Sequence, residues 1–184
     1  MEFRETITQF QNLGKSVVRG GRAILKRKKA TTSKNTLYKG FNYLVTSSKN
    51  SVKLEFVFGK ADDYWEFVDE GVRGTNKPRP VNKDGKPYPR KKGAKRATGS
   101  PFQFKGKMPP RRAIDRWIVG KPLKAARDDK GRFVERKSLA YLIQRSVFYH
   151  GIKRTQFFSK PYDNLYKKRE SKILEALTND IGQE

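Results

Sequence analysis

The sequence contains no cysteine, which removes disulfide frameworks, thiolate metal sites and cysteine nucleophiles together. Its one histidine, His150, cannot build a multi-histidine metal centre. Acidic residues are scarce: 18 stand against 43 lysines and arginines in 184 residues, a formal net charge of +25. No apolar run exceeds a few residues, so no segment has the length of a membrane-spanning helix. The opening Met1-Glu2-Phe3-Arg4-Glu5 mixes both signs of charge and lacks an apolar stretch, so no secretory signal is expected there. A reducing cytoplasm, or a particle assembled in one, is the expected setting.

What is present divides in two. Apolar residues make up 35% of the chain, below the roughly 45–50% of an average globular protein. Aromatic residues nevertheless reach 12%, which a disordered basic tail would not carry. Part of the chain therefore folds around an aromatic-rich core. Another part is charged and either solvated or wrapped on a partner.

The charge is uneven. No acid lies between Glu5 and Glu55, and residues 72–112 hold 14 lysines or arginines with a single acid, Asp84. That interval also carries seven of the nine prolines. Its centre, from Lys77 to Arg96, has neither a helical nor a strand period. Proline removes backbone donors and like charges repel, so residues 76–107 read as an extended basic arm that orders on a partner. Its candidate contacts are the cations Lys77, Arg79, Lys83, Lys86, Arg90, Lys91, Lys92, Lys95, Arg96, Lys105 and Lys107, with the rings Tyr88, Phe102 and Phe104 among them. Composition does not choose between a protein and DNA as that partner.

The flanks have clear periods. Phe3, Ile7, Phe10, Leu13 and Val17 fall on one helical face, while Gly20-Gly21 predicts a bend or break beyond them. Phe41, Tyr43 and Val45 alternate, as do Val52, Leu54, Phe56 and Phe58, about a polar turn: a β-hairpin. Tyr64, Phe67 and Val68 fit a helical turn ending at Gly71, with a third strand as the alternative. Short helices are expected from about Pro109 to Gly120 and from Glu135 to Tyr149, the latter stopped by Gly151. A final helix opens at Pro161, with Tyr162, Leu165, Tyr166, Ile173, Leu177 and Ile181 as its apolar stripe. The expected class is α+β: one domain over residues 1–184, in which helices pack a small hairpin-based antiparallel sheet and the 76–107 arm is an insertion.

No catalytic machinery stands out. Gly14-Lys15-Ser16 suggests a phosphate loop, but Gln9 stands where that motif needs glycine, and no strand precedes it. Asp62, Asp63, Glu66, Asp69 and Glu70 could hold a divalent cation for phosphodiester cleavage. They share their segment with Tyr64, Trp65, Phe67 and Val68, so a solvated or interfacial face is the plainer reading. His150, beside Gly151, suits the negative end of a helix without any catalytic role. Neither a cofactor nor a metal is expected.

Four segments carry a resemblance. Tyr64-Trp-Glu-Phe-Val-Asp-Glu-Gly-Val-Arg-Gly74 is similar to the tyrosine-rich "valine, acid, x, Gly" segment of small tailed-phage neck and tail-completion proteins. Pro109-Pro-Arg-Arg-Ala-Ile-Asp-Arg-Trp-Ile118 resembles a motif of the same proteins, as do Ala140-Tyr-Leu-Ile-Gln-Arg-Ser146 and His150-Gly-Ile-Lys-Arg-Thr-Gln-Phe-Phe158. The resemblance spans residues 64–74 and 109–183, and the order of the segments is more specific than any one of them. The arm departs from the small family members in length and charge. The resemblance implies a non-enzymatic virion protein, a ring-forming subunit of the head–tail connector, assembled in the host cytoplasm. Its implied partners are copies of itself, portal or other neck and tail proteins, and packaged DNA through phosphate contacts, with no membrane. The alternative is a nucleic-acid-binding module of the ribosome- or nucleoid-associated kind; a metal-dependent nuclease is a third, weaker reading.

Overall fold

A computed structural model describes residues 3–28, 36–75, 83–85, 99–120, 127 and 131–182. In chain order these form α1 (Arg4–Arg27), α2 (Thr36–Gly40), β1 (Asn42–Ser48), β2 (Ser51–Val57), a single 3-10 turn (Gly59–Ala61) and α3 (Trp65–Asp69). There follow β3 (Val72–Arg73), α4 (Arg111–Gly120), α5 (Arg136–His150), β4 (Gly151–Ile152) and α6 (Ser159–Gly182). The class is α+β, with two antiparallel two-stranded sheets among the described residues. These residues gather into two compact units, Met1–Trp65 with Thr155–Glu184, and Glu66–Arg154.

The first unit is built on α1 and α6. Gly20 meets the Pro161 ring near the start of α6, whereas Glu5 and Thr6 meet Asp180 near its end, so the two helices run antiparallel. The stripe expected on α1 is the face that is buried, through Phe3, Leu13, Val17, Val18 and Leu25. The break expected at Gly20-Gly21 does not occur, and α1 is one helix of 24 residues. Glycine costs a helix only about 1 kcal/mol, and here the missing Cβ is used. A Cβ on Gly21 would lie 2.5 Å from the Phe41 ring and 2.7 Å from the Phe157 carbonyl oxygen, and one on Gly14 would overlap the Tyr43 ring. The glycines let the hairpin and its neighbours close onto the helix.

The hairpin pairs Tyr43 with Phe56, Val45 with Leu54 and Ser47 with Val52, so its apolar set shares one face. Around it lies an aromatic cluster. Phe41 is fully buried, stacked on Phe58 at 5.1 Å and edge-on to Phe157 at 5.4 Å. Phe58 in turn stacks on Trp65 at 4.1 Å, and Phe158 bridges Phe56 at 5.1 Å to Tyr162 at 5.6 Å. Arg22 ties α1 to this corner, its guanidinium donating to the Phe41 carbonyl at 2.9 Å.

The stripe on α6 also differs from its expected course. Ile173 is buried, but Tyr166 and Ile181 are exposed, and Ala176 and Asp180 take the inward positions. The cause is the start of α1, where Phe3 occupies the N-cap position and supplies no capping side chain. Asp180 caps it instead, accepting the Glu5 N–H at 3.1 Å and the Thr6 N–H at 2.8 Å. Burial raises the Asp180 pKa, but hydrogen bonds from Thr6 and Glu5 outweigh it and hold the carboxyl below its ordinary value. A depressed folded-state pKa means the unfolded chain binds the extra proton, so this stabilisation is complete above about pH 4 and fades as pH falls through the folded value. Asp180→Ala is expected to lower the melting temperature by several degrees at pH 7 and to flatten the loss of stability below about pH 4. Melting curves from pH 2 to 7 check this, and an unchanged acid limb in the variant would contradict it.

The second unit closes on three glycines. Gly71 (φ +71°) has the Ile152 carbonyl 2.5 Å from where a Cβ would sit, and Gly74 and Gly151 (φ +79°) have backbone at equally short range. β3 can therefore pair with β4 at contact distance, and the Thr75 N–H extends the pairing to the Phe148 carbonyl at 2.8 Å. Val72, Ile118, Ala140 and Phe148 form its apolar core.

Candidate partner-binding surfaces

Of the proposed arm contacts, Lys77, Arg79, Lys86, Tyr88, Arg90, Lys91, Lys92, Lys95 and Arg96 lie outside the described residues. Lys83 sits in an exposed turn with Asp84 and Gly85, and Lys105 and Lys107 are exposed. Phe102 and Phe104 are half-buried within the second unit, where Phe102 packs on Phe67 at 4.4 Å and Phe104 lies 6.3 Å from Phe148.

Backbone bonds explain that placement. The Arg73 N–H donates to the Phe102 carbonyl at 2.8 Å, and the Phe104 N–H donates to the Arg73 carbonyl at 3.1 Å. Gln103 thus bridges Arg73 in the parallel sense and adds a third run of backbone to the β3–β4 pair. The Ser100 hydroxyl, itself buried, donates to the Gly71 carbonyl at 2.7 Å, and the Gln103 amide reaches the Gly74 carbonyl at 3.2 Å. The end of the interval read as an arm is therefore anchored to β3.

A second basic surface was not singled out by the sequence. An open cleft of about 800 Å³ is lined by Arg111, Arg112 and Asp115 from α4, and by Glu135, Arg136 and Lys137 at the start of α5. Arg136 grips Asp115 with two nitrogens at 2.8 Å each, and Arg111 donates to the Lys137 carbonyl at 2.9 Å. Arg112 and Lys137 have no ion-pair partner among the described residues. Both helices lack an acid in the first turn, and α5 has no side-chain cap. Cations at the positive ends of two helices oppose the macrodipole, at about 0.3–1 kcal/mol apiece. The signal readable in sequence was this inversion, Arg111-Arg112 and Arg136-Lys137 standing where acids are favoured.

The acidic stretch does not gather. Asp69 is buried, while Asp62, Asp63 and Glu66 are exposed. Among the described residues no three carboxylate or imidazole groups converge as a metal site would need. Among the described residues, no lysine or arginine is ion-paired with Asp62, Asp63 or Glu66. Beside them Tyr64 is 38% exposed and Phe67 42%. Burial pushes the Tyr64 phenol pKa up, opposed by hydrogen bonds to Thr36 and Leu37.

The remaining candidates resolve locally. Gly14-Lys15-Ser16 lies inside α1, where the Ser16 hydroxyl donates to the Asn12 carbonyl at 2.7 Å. His150 ends α5, with Nδ1 2.9 Å from the Ser146 carbonyl oxygen, as expected of a helix-terminal histidine. No described helix is long and apolar enough to cross a membrane. Comparison with protein-family models, with curated proteins and with solved structures finds no match to this chain.

Proposed function

We propose that this protein is a ring-forming structural subunit of a tailed-phage connector, acting between portal and tail without enzymatic activity. The observation that carries the reading is the order of the four resembling segments. They supply α3–β3, α4, α5 and β4 in succession, and Gly71, Gly74 and Gly151, which let β3 and β4 approach at contact distance, fall inside them. A connector subunit needs a small folded body with charged surfaces for unlike neighbours, and heterologous contacts close into rings when their rotation permits. The basic interval serves as the segment that orders on neighbouring subunits, on portal or tail proteins, or on channel DNA.

The competing reading, a ribosome- or nucleoid-associated module, draws on the +25 charge and on rings placed for base stacking. Phe102 and Phe104 are engaged by Phe67 and Phe148, which leaves Tyr88 as the remaining candidate ring. Inactivating the gene separates the readings. Filled heads and free tails that fail to join, restored by the gene in trans, are expected; normal particles together with a ribosome or nucleoid defect would overturn the proposal. If six of the arm's cations neutralised phosphates on duplex DNA, log affinity would fall against log salt with a slope near −5.

A further inference from the structure

We infer that the solvent face of α1 binds the phosphate backbone of duplex DNA through Lys15, Arg19 and Lys26, with Arg22 beside them. The inference stands apart from the connector reading and gives a folded element, rather than the basic arm, a nucleic-acid contact. It starts from helical spacing. Lys15, Arg19, Arg22 and Lys26 follow one another at steps of four, three and four, so they form a single row along the helix. Lys15, Arg19 and Lys26 are exposed, and Arg22 is half-buried with one nitrogen on the Phe41 carbonyl. No acid lies between Glu5 and Glu55, so nothing in α1 beyond its first turn offsets these charges. Each step of the row sets like charges side by side, which destabilises a helix. The other long helix of the same unit, α6, shows the ordinary arrangement. There Asp163 stands four residues before Lys167 and Glu170 three after it, so the exposed side mixes the signs. Solvation accounts for α6 but not for a row of four cations on α1.

The same face discriminates among anionic partners. The apolar side of α1, with Leu13, Val17, Val18 and Leu25, is buried where the hairpin and α6 pack on it. The helix therefore has no apolar face to lay into a membrane surface. From Gln11 to Lys26 the exposed residues are Gln11, Asn12, Lys15, Arg19, Ala23 and Lys26. None is an aromatic or large aliphatic anchor of the kind that carries most protein–protein affinity. None is a ring on which an unpaired base could stack. What the face offers is spaced cations and amide donors, the groups that contact a phosphate backbone. Neighbours in the row are about 5–6 Å apart, and duplex DNA places a phosphate roughly every 3.4 Å of each strand along its axis. Each long side chain of the row can therefore reach its own phosphate.

The test is binding of the purified full-length chain to a labelled duplex of mixed sequence, followed by fluorescence anisotropy across a salt series. K15Q/R19Q/K26Q neutralises the row. K39Q/K49Q/K60Q neutralises three exposed lysines elsewhere in the same unit, and each variant lowers the net charge by three, from +25 to +22. The row variant is expected to bind at least tenfold more weakly, with a salt slope shallower by about 2.7, since each phosphate contact contributes about 0.9. The control is expected to bind within about twofold of the wild type, because only its general charge has changed. Removing like-charged neighbours should leave the row variant melting no lower than the wild type, which separates lost binding from lost folding. Equal losses in the two variants would reduce the effect to net charge and overturn the proposal. A wild-type chain that does not bind the duplex, or a row variant that binds it unchanged, would do the same. A row variant that binds DNA normally yet is lost from particles would assign the face to an acidic protein, against the proposal. Absence of the protein from particles, with DNA binding intact, would remove the connector reading alone.

Discussion

Replacing residues 77–97 by a glycine–serine linker of about 12 residues is expected to leave the protein folded and to abolish its incorporation into particles. The linker is needed because Gln103 bridges Arg73 in the parallel sense, so the chain leaves one end of that pairing and must re-enter at the other. Parallel neighbours need a crossover of roughly a dozen residues, and a direct join would tear Phe102–Phe104 from β3. With the linker, every hydrogen bond of Ser100, Phe102 and Phe104 to the second unit can form. Loop closure changes by less than about 0.6 kcal/mol, since the loop does not quite halve in length. Nine lysines and arginines are lost, nine of the eleven cations proposed to meet a neighbour. Deleting 76–107 outright is a different experiment. It removes two half-buried phenylalanines and the Ser100 bond, at about 1–3 kcal/mol for each ring, and should lower the melting temperature markedly. Melting curves and particle incorporation of the linker variant decide the matter. Loss of cooperative melting would place residues 77–97 in the core, and normal incorporation would show them dispensable.

Phe41→Ala is expected to remove most of the stability of the first unit. The ring is fully buried and contacts Phe56, Phe58, Phe157 and Phe158, so its removal opens a cavity lined by rings that cannot easily collapse. Phenylalanine-to-alanine changes at such sites cost about 3–5 kcal/mol, against total stabilities of about 5–15 kcal/mol. Phe41→Leu keeps much of the volume and should cost roughly 1–2 kcal/mol. Urea unfolding monitored at Trp65, which stacks on the neighbouring Phe58, reports this unit. A midpoint for Phe41→Ala within error of Phe41→Leu would show that the aromatic cluster is not the core.

How far the fold could be read from the residues follows from the range of each interaction. The hairpin is legible because alternation at Tyr43, Val45, Val52, Leu54 and Phe56 is a local pattern, and its register places those residues on one face. The bounds of α5 are legible because Gly151 takes a positive φ directly after it. Gly20-Gly21 misled because helix propensity is worth about 1 kcal/mol, while the packing of Phe41 and Phe157 onto Gly21 is long-range. Asp180 gave no signal, since the N–H groups it caps lie 174 and 175 residues away. The strand-like run at Phe102–Phe104 was hidden by the prolines and cations around it and by a partner, β3, only two residues long. The α4–α5 cleft was not singled out because charge on separate helices acquires meaning only once they pack.

The central claim is that this chain sits in several symmetric copies between portal and tail. Cryo-electron microscopy of particles from cells carrying its gene, with density assigned by fitting each of the two units separately, tests it most directly. The account predicts a ring at the head–tail junction, six- or twelve-fold as the resemblance implies. Absence of the protein from the particle, a single copy, or a position away from the neck would contradict it.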